Sequence, residues 1–194
     1  TPMDFISFHV KGQPTIQDGR VTMGLAKALN DADKGFAIIA RHPKFAKLPV
    51  ILSEADPEGC AACSMKVNPA NAYRNGTLYP AYTAAAYKRL LELADRYGIN
   101  LISMLSWSFE FENLDYFEGF RSLSTNGIDK PVLNFFRMAG LMHGDRVAAA
   151  ADGAMRAGQI IAAGVRGAPD IDALATADGR EAAVMVWNYH DADR

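Results

Sequence analysis

At 194 residues and 49% hydrophobic, the chain is long enough for one ordinary domain with a substantial core and lacks the composition of a disordered segment. Lys and Arg total 20 against 22 Asp and Glu, a formal charge of −2 with no basic block, which removes the main electrostatic requirement for nucleic-acid binding. No apolar run approaches the ~18 residues needed to span a bilayer, and the alanine-rich stretch 147–165 is broken by Asp152 and Arg156.

In chain order, a strand-loop-helix pattern is predicted three times. Residues 5–8 read as a short strand, and residues 23–42 carry Leu25, Leu29, Phe36 and Ile39 at helical spacing. Residues 49–53 form the second predicted strand. Its helix is expected over 82–97, with Ala86, Leu90, Leu93 and Tyr97 on one stripe and Gly98 as a stop. Residues 101–107 form the third strand, and Pro131 opens the third helix, where a missing N–H costs nothing. Nearly continuous apolar strands are how strands covered on both faces of a parallel sheet read, so the class is α/β. After Gly144 the character changes to an alanine-rich stretch, a Gly/Pro/Asp loop, and "EAAVMVWNYHD" with alternating β-branched and aromatic residues. That ending reads as the beginning of a β-rich module.

In parallel α/β folds chemistry sits outside the carboxyl ends of the strands, and each predicted strand here ends on notable residues. The first is followed by His9 and Lys11, the second by Glu54 and Asp56, and the third ends on Trp107 and is followed by Glu110 and Glu112. Glu54 closes "LPVILSE": it is either a solvated loop acid or cap, or a nucleophile or general base fixed by its apolar approach. His9 reads as a hydrogen-bonded core residue or as a site residue, and Lys11 as a solvated cation or as a charge selecting an anionic substrate group. The stretch "SWSFEFENLDYFEGF" combines aromatic faces, which stack on sugar C–H surfaces, with carboxylates, which accept from vicinal hydroxyls; packing of the loop is the alternative. Cys60-x-x-Cys63 stands without a second cysteine pair, which excludes a four-thiolate zinc site and leaves loop packing, a local disulfide or a redox motif. Asn75-Gly76-Thr77 matches a glycosylation sequon but also suits a turn. There is neither a P-loop nor a G-x-G-x-x-G run to support nucleotide chemistry.

Taken together, these residues resemble glycoside hydrolase family 39, the β-xylosidases and α-L-iduronidases. "DFISFHVKG", "LPVILSEADPEG" and "LISMLSWSFEFEN" are similar to barrel strands six, seven and eight of that family, and "STNGIDKPVLNFFRM" to the lead into its last barrel helix. The resemblance implies the C-terminal part of a (β/α)8 TIM barrel over residues 1–144, then a linker and the start of a β-sandwich domain over 145–194. It places Glu54 as nucleophile, His9 as a sugar contact, and Trp107, Glu110 and Glu112 as floor and hydroxyl contacts of the sugar subsite. A retaining β-xylosidase is the activity implied, with a carbohydrate substrate and no metal or organic cofactor. "HVKG" and "EADP" lean instead towards the uronide hydrolases, in which Lys11 would meet a uronate carboxylate; a non-catalytic carbohydrate-binding module is the reading from another class. A barrel takes eight units and about 250 residues, so five strands are expected upstream of Thr1. The family's general acid/base is the Glu of an Asn-Glu pair, which occurs nowhere in this sequence. These 194 residues are therefore expected to hold the nucleophile without the acid.

Overall fold

The chain is described from a computed structural model, in which residues 2–57, 60, 63–106, 115–118 and 123–192 are described. In chain order the elements are β1 (Ile6–His9), β2 (Thr15–Gln17), β3 (Arg20–Thr22), α1 (Leu25–Ala40), β4 (Val50–Glu54), a 3-10 helix (Pro69–Asn75), α2 (Leu78–Tyr97), β5 (Leu101–Met104), β6 (Ser124–Thr125), β7 (Ile128–Asp129), α3 (Pro131–Gly140), β8 (Asp145–Val147), α4 (Ala157–Ala163), β9 (Asp170–Ala177) and β10 (Ala182–Tyr189).

The three apolar runs pair in parallel in the order β1-β4-β5, as the class required. Burial on the helix-covered side falls on Val50 and Leu52, which meet Leu25, Leu29 and Phe36 of α1 and Leu90 and Leu93 of α2 in one core. Phe8 of β1 closes on Phe36 edge to face, with ring centroids 5.9 Å apart.

Two boundaries differ from expectation by three or more residues, and one connection holds an additional element. α2 begins at Leu78 rather than residue 82, because Pro80 falls in the first turn, where its missing N–H has no intrahelical partner to lose. β5 stops at Met104, although Leu105 still donates to Leu52 O (2.9 Å). The connection after β1 also holds a hairpin: Asp18 and Gly19 both take positive φ (51° and 75°), the two-residue turn that matches strand twist and that an Asp-Gly pair favours.

The C-terminal alternation becomes the antiparallel pair β9/β10, with β8 on the other edge. Met185, Trp187 and Tyr189 face inward and join the same core as α1 and α2, while Val184 and Val186 are exposed on the outer face. Buried polar groups fasten this sheet to the helices. Arg89 of α2 reaches Asp170 (2.9 Å), Asp172 (2.7 Å) and Glu92 (3.0 Å), Lys88 reaches Asp172 (2.7 Å), and the Trp187 indole N–H donates to Asp170 (3.1 Å). Burial pushes the Asp172 carboxyl upward, but donors from Lys88, the Ala173 backbone and Arg89 outweigh it and hold it below the usual carboxylate range.

A second fastening lies at the start of α1, where Gly24 offers no side chain to cap the helix. Asp191 supplies what the local sequence lacks. Its carboxylate accepts from Leu25 N (3.3 Å), Val165 N (2.8 Å) and the Tyr189 hydroxyl (2.7 Å).

Candidate active site

Backbone pairing at the carboxyl ends of β1 and β4 continues beyond the strands: Val10 N donates to Glu54 O (2.9 Å) and Gly12 N to Asp56 O (3.3 Å). The period-2 alternation of extended chain therefore sends His9 and Lys11 to one side and Val10, 1% exposed, to the other; Glu54 and Asp56 bear the same i, i+2 relation around buried Ala55. A slip in register between Phe8 and His9 brings His9 opposite Glu54. Gly12 makes the approach possible. A Cβ there would lie 2.4 Å from Pro57 O, 2.9 Å from the Tyr82 hydroxyl and 3.0 Å from Met23 O, so no side chain fits without moving backbone.

The charged groups meet at this rim. Lys11 Nζ lies 2.6 Å from Glu54 Oε2 and 2.8 and 2.7 Å from the two Asp56 oxygens, and His9 Nδ1 is 3.7 Å from Glu54 Oε2. Exposure grades outward: the Asp56 side chain is 2% exposed, Lys11 15%, Glu54 25% and His9 55%. Glu54 thus opens to solvent on a rigid strand end while its partners anchor it from below. Behind them stand three α2 phenols. Burial, and next the Asp56 carboxylate, hold Tyr79, Tyr82 and Tyr87 above the ordinary tyrosine range, so this wall stays neutral. Tyr79 shares a hydrogen bond with Ser106 (3.0 Å), just beyond β5, and Tyr87 donates to Met104 O (3.1 Å).

Of the residues singled out from sequence, His9, Lys11 and Glu54 come together. Trp107, Glu110 and Glu112 lie outside the described residues. Asp56 was noted only as a neighbour of Glu54 and is the most buried charge of the group; the signal that could have found it is its i, i+2 spacing from Glu54 opposite the same spacing of His9 and Lys11. Cys60 and Cys63 form a disulfide in the connection after β4, the local bond among the readings of that pair. Asn75 ends the 3-10 helix and donates to Phe117 O (2.7 Å), a structural use of the residue that began the sequon. Among the described residues no group of three or more His, Cys, Asp or Glu is arranged to hold a metal ion.

An ammonium in contact with a carboxylate favours its anionic form, and a carboxylate is an established nucleophile in glycoside chemistry. The family model for glycosyl hydrolases family 39 matches residues 1–190. A crystal structure of the GH39 enzyme from Xanthomonas axonopodis pv. citri is similar to the chain, with a TM-score of 0.62 and 17% identity, covering 100% of this chain and 34% of that one. The chain therefore spans about a third of the length of that structure. No curated protein sequence matches it.

Proposed function

The chain belongs to glycosyl hydrolases family 39, and from that membership we propose that it is the C-terminal part of a retaining, exo-acting β-xylosidase with Glu54 as nucleophile. In this reading β1, β4 and β5 are strands six to eight of a (β/α)8 barrel, and β8–β10 begin a β-sandwich domain. The observation that carries the proposal is the side chain of Glu54: partly open at the carboxyl end of the central parallel strand, and fixed by Lys11 at 2.6 Å.

A retaining glycosidase needs a second carboxyl group about 5–5.5 Å from the nucleophile. Glu54 attacks the anomeric carbon as that second group protonates the leaving oxygen; the same group then takes a proton from water, which displaces the sugar from Glu54. We assign the acid/base to a strand outside these 194 residues. Trp107, Glu110 and Glu112 are proposed to contact the sugar, with His9 at its edge.

The choice of a neutral glycone rests on charge. Lys11 already meets two carboxylates, so the cluster of Lys11, Glu54 and Asp56 sums to one negative charge, which disfavours an anionic sugar. The competing reading, a uronide hydrolase resembling α-L-iduronidases, draws on the same lysine two residues from His9. Lys11→Ala would then weaken uronide cleavage selectively, whereas equal loss on a neutral xyloside counts against it. Full-length protein assayed on an aryl β-xyloside tests the proposal. Turnover abolished by Glu54→Ala supports it, and sugar binding without turnover supports a non-catalytic carbohydrate-binding module instead.

A further inference from the structure

The lysine that meets Glu54 is engaged by a second carboxylate as well: both oxygens of Asp56 bind Lys11 Nζ, at 2.8 and 2.7 Å, beside Glu54 Oε2 at 2.6 Å. Asp56 is buried, its backbone carbonyl is tied to Gly12 N, and its charge, after burial, helps hold the α2 phenols neutral. A charge buried at that depth is costly unless it is paired and hydrogen-bonded, as Asp56 is by Lys11.

We propose that Asp56 is the positioning residue of this site: it divides the Lys11 ammonium with Glu54, so that Lys11 orients the nucleophile without neutralising it. This rests on the glycosidase reading for its catalytic meaning. A lone lysine 2.6 Å from the attacking oxygen would hold its electron pair in a one-to-one ion pair. With Asp56 present, the ammonium stays paired at every stage. In the first step the Glu54 oxygen bonds to the anomeric carbon and the bond to the leaving oxygen breaks. The leaving oxygen keeps that electron pair and takes a proton from the second carboxyl group, and Glu54, now an ester, loses its charge. Lys11 and Asp56 then form a neutral pair. In the second step water adds, its proton passing to the second carboxyl group; the ester bond breaks, and its electron pair returns to Glu54 beside Lys11.

Among the described residues, the groups facing Glu54 include His9 and Lys11 from the end of β1, Asp56 from its own segment, and Tyr79, Tyr82 and Tyr87 of α2 behind Asp56, with Arg74 close to Tyr79. Dividing the ammonium makes a signed prediction that a packing role does not. Carbon-13 NMR of full-length protein labelled at glutamate Cδ, with the Glu54 signal assigned by its loss in Glu54→Gln, follows the titration of Glu54 directly. Lys11→Met is expected to move the midpoint up and Asp56→Asn to move it down, each by roughly one pH unit. Shifts in the same direction, or an unmoved midpoint in Asp56→Asn, overturn the proposal. If Asp56→Asn does not fold, the Lys11→Met/Asp56→Asn double variant, which removes both charges together, replaces it. Its midpoint should lie below that of Lys11→Met, and equal midpoints overturn the proposal. The acid limb of kcat/KM on an aryl β-xyloside should follow the same order. Absence of wild-type turnover counts against the glycosidase reading alone, and the NMR midpoints still decide the role of Asp56.

Discussion

At the parallel strand ends Lys11 lies between Glu54 and Asp56 with Glu54 a quarter exposed, whereas under the antiparallel sheet Arg89 lies among Asp170, Asp172 and Glu92 with both aspartates at most 1% exposed. Both clusters join elements distant in sequence, and both contain more carboxylates than cations. They differ in what closes them. Asp170 also accepts from the Trp187 indole and from Met155 N (2.7 Å), and Lys88 covers Asp172, so the two aspartates are sealed by protein while Glu92, 37% exposed, reaches solvent at the edge of the cluster. The strand-end cluster grades from buried Asp56 to half-exposed His9 and leaves its middle carboxylate facing outward. Burial of charge alone thus does not mark a candidate site; the proposal rests on a charged cluster left open on one side, at the carboxyl end of a central strand.

The contrast breaks most sharply if the open cluster proves dispensable. Glu54→Gln in full-length protein should lower turnover of an aryl β-xyloside by at least about 10³-fold with little change in thermal midpoint. The sealed aspartates should behave in the opposite way. Asp170→Ala leaves the Trp187 N–H and Met155 N without their acceptor, removes one of the three carboxylates around Arg89, and should cost about 3–5 kcal/mol in denaturant unfolding. Asp191→Ala, which uncaps α1 and orphans Val165 N, should cost about 2–3 kcal/mol by the same measurement. Gly12→Ala sharpens the comparison from the other side: displacing the Pro57 carbonyl should cost about 1–3 kcal/mol and lower activity together.

The smallest effect is a pH dependence. The folded Asp172 carboxyl titrates below its unfolded value near 3.9, so the unfolded chain binds the proton first on acidification. Its stabilisation is complete above that value and is lost as pH falls through the folded one. Tyr79, Tyr82 and Tyr189 are raised, mainly by burial, so their contribution is complete below about pH 10 and is lost as pH rises beyond it. Unfolding midpoints should fall at both ends, and Asp172→Asn should flatten the acid side.

Much of this was readable from local pattern. The apolar runs at Ile6, Val50 and Leu101, the helical stripe through Leu90 and Leu93, and the outward alternation of Val184 and Val186 each follow from a period of 2 or 3.6. Glu54 and Lys11 were marked by their place after strands. What pattern could not supply is long-range closure. Asp191 caps a helix that begins at Leu25, and Arg89 finds Asp170 across 81 positions, because neither partner has a local signature. Asp56, though notable after the second strand, takes no role from pattern for a related reason: an Asp before Pro57 reads as a turn residue until Lys11 arrives from β1.

The central claim is that Glu54 bonds covalently to the sugar. A 2-deoxy-2-fluoroxyloside with a good leaving group, incubated with full-length protein and followed by peptide mass spectrometry, tests it directly. An accumulated fluoroxylosyl ester on the peptide containing Glu54, absent in Glu54→Gln, is the expected result. Turnover of the aryl xyloside with the adduct on another carboxylate, or no adduct at all, would contradict it.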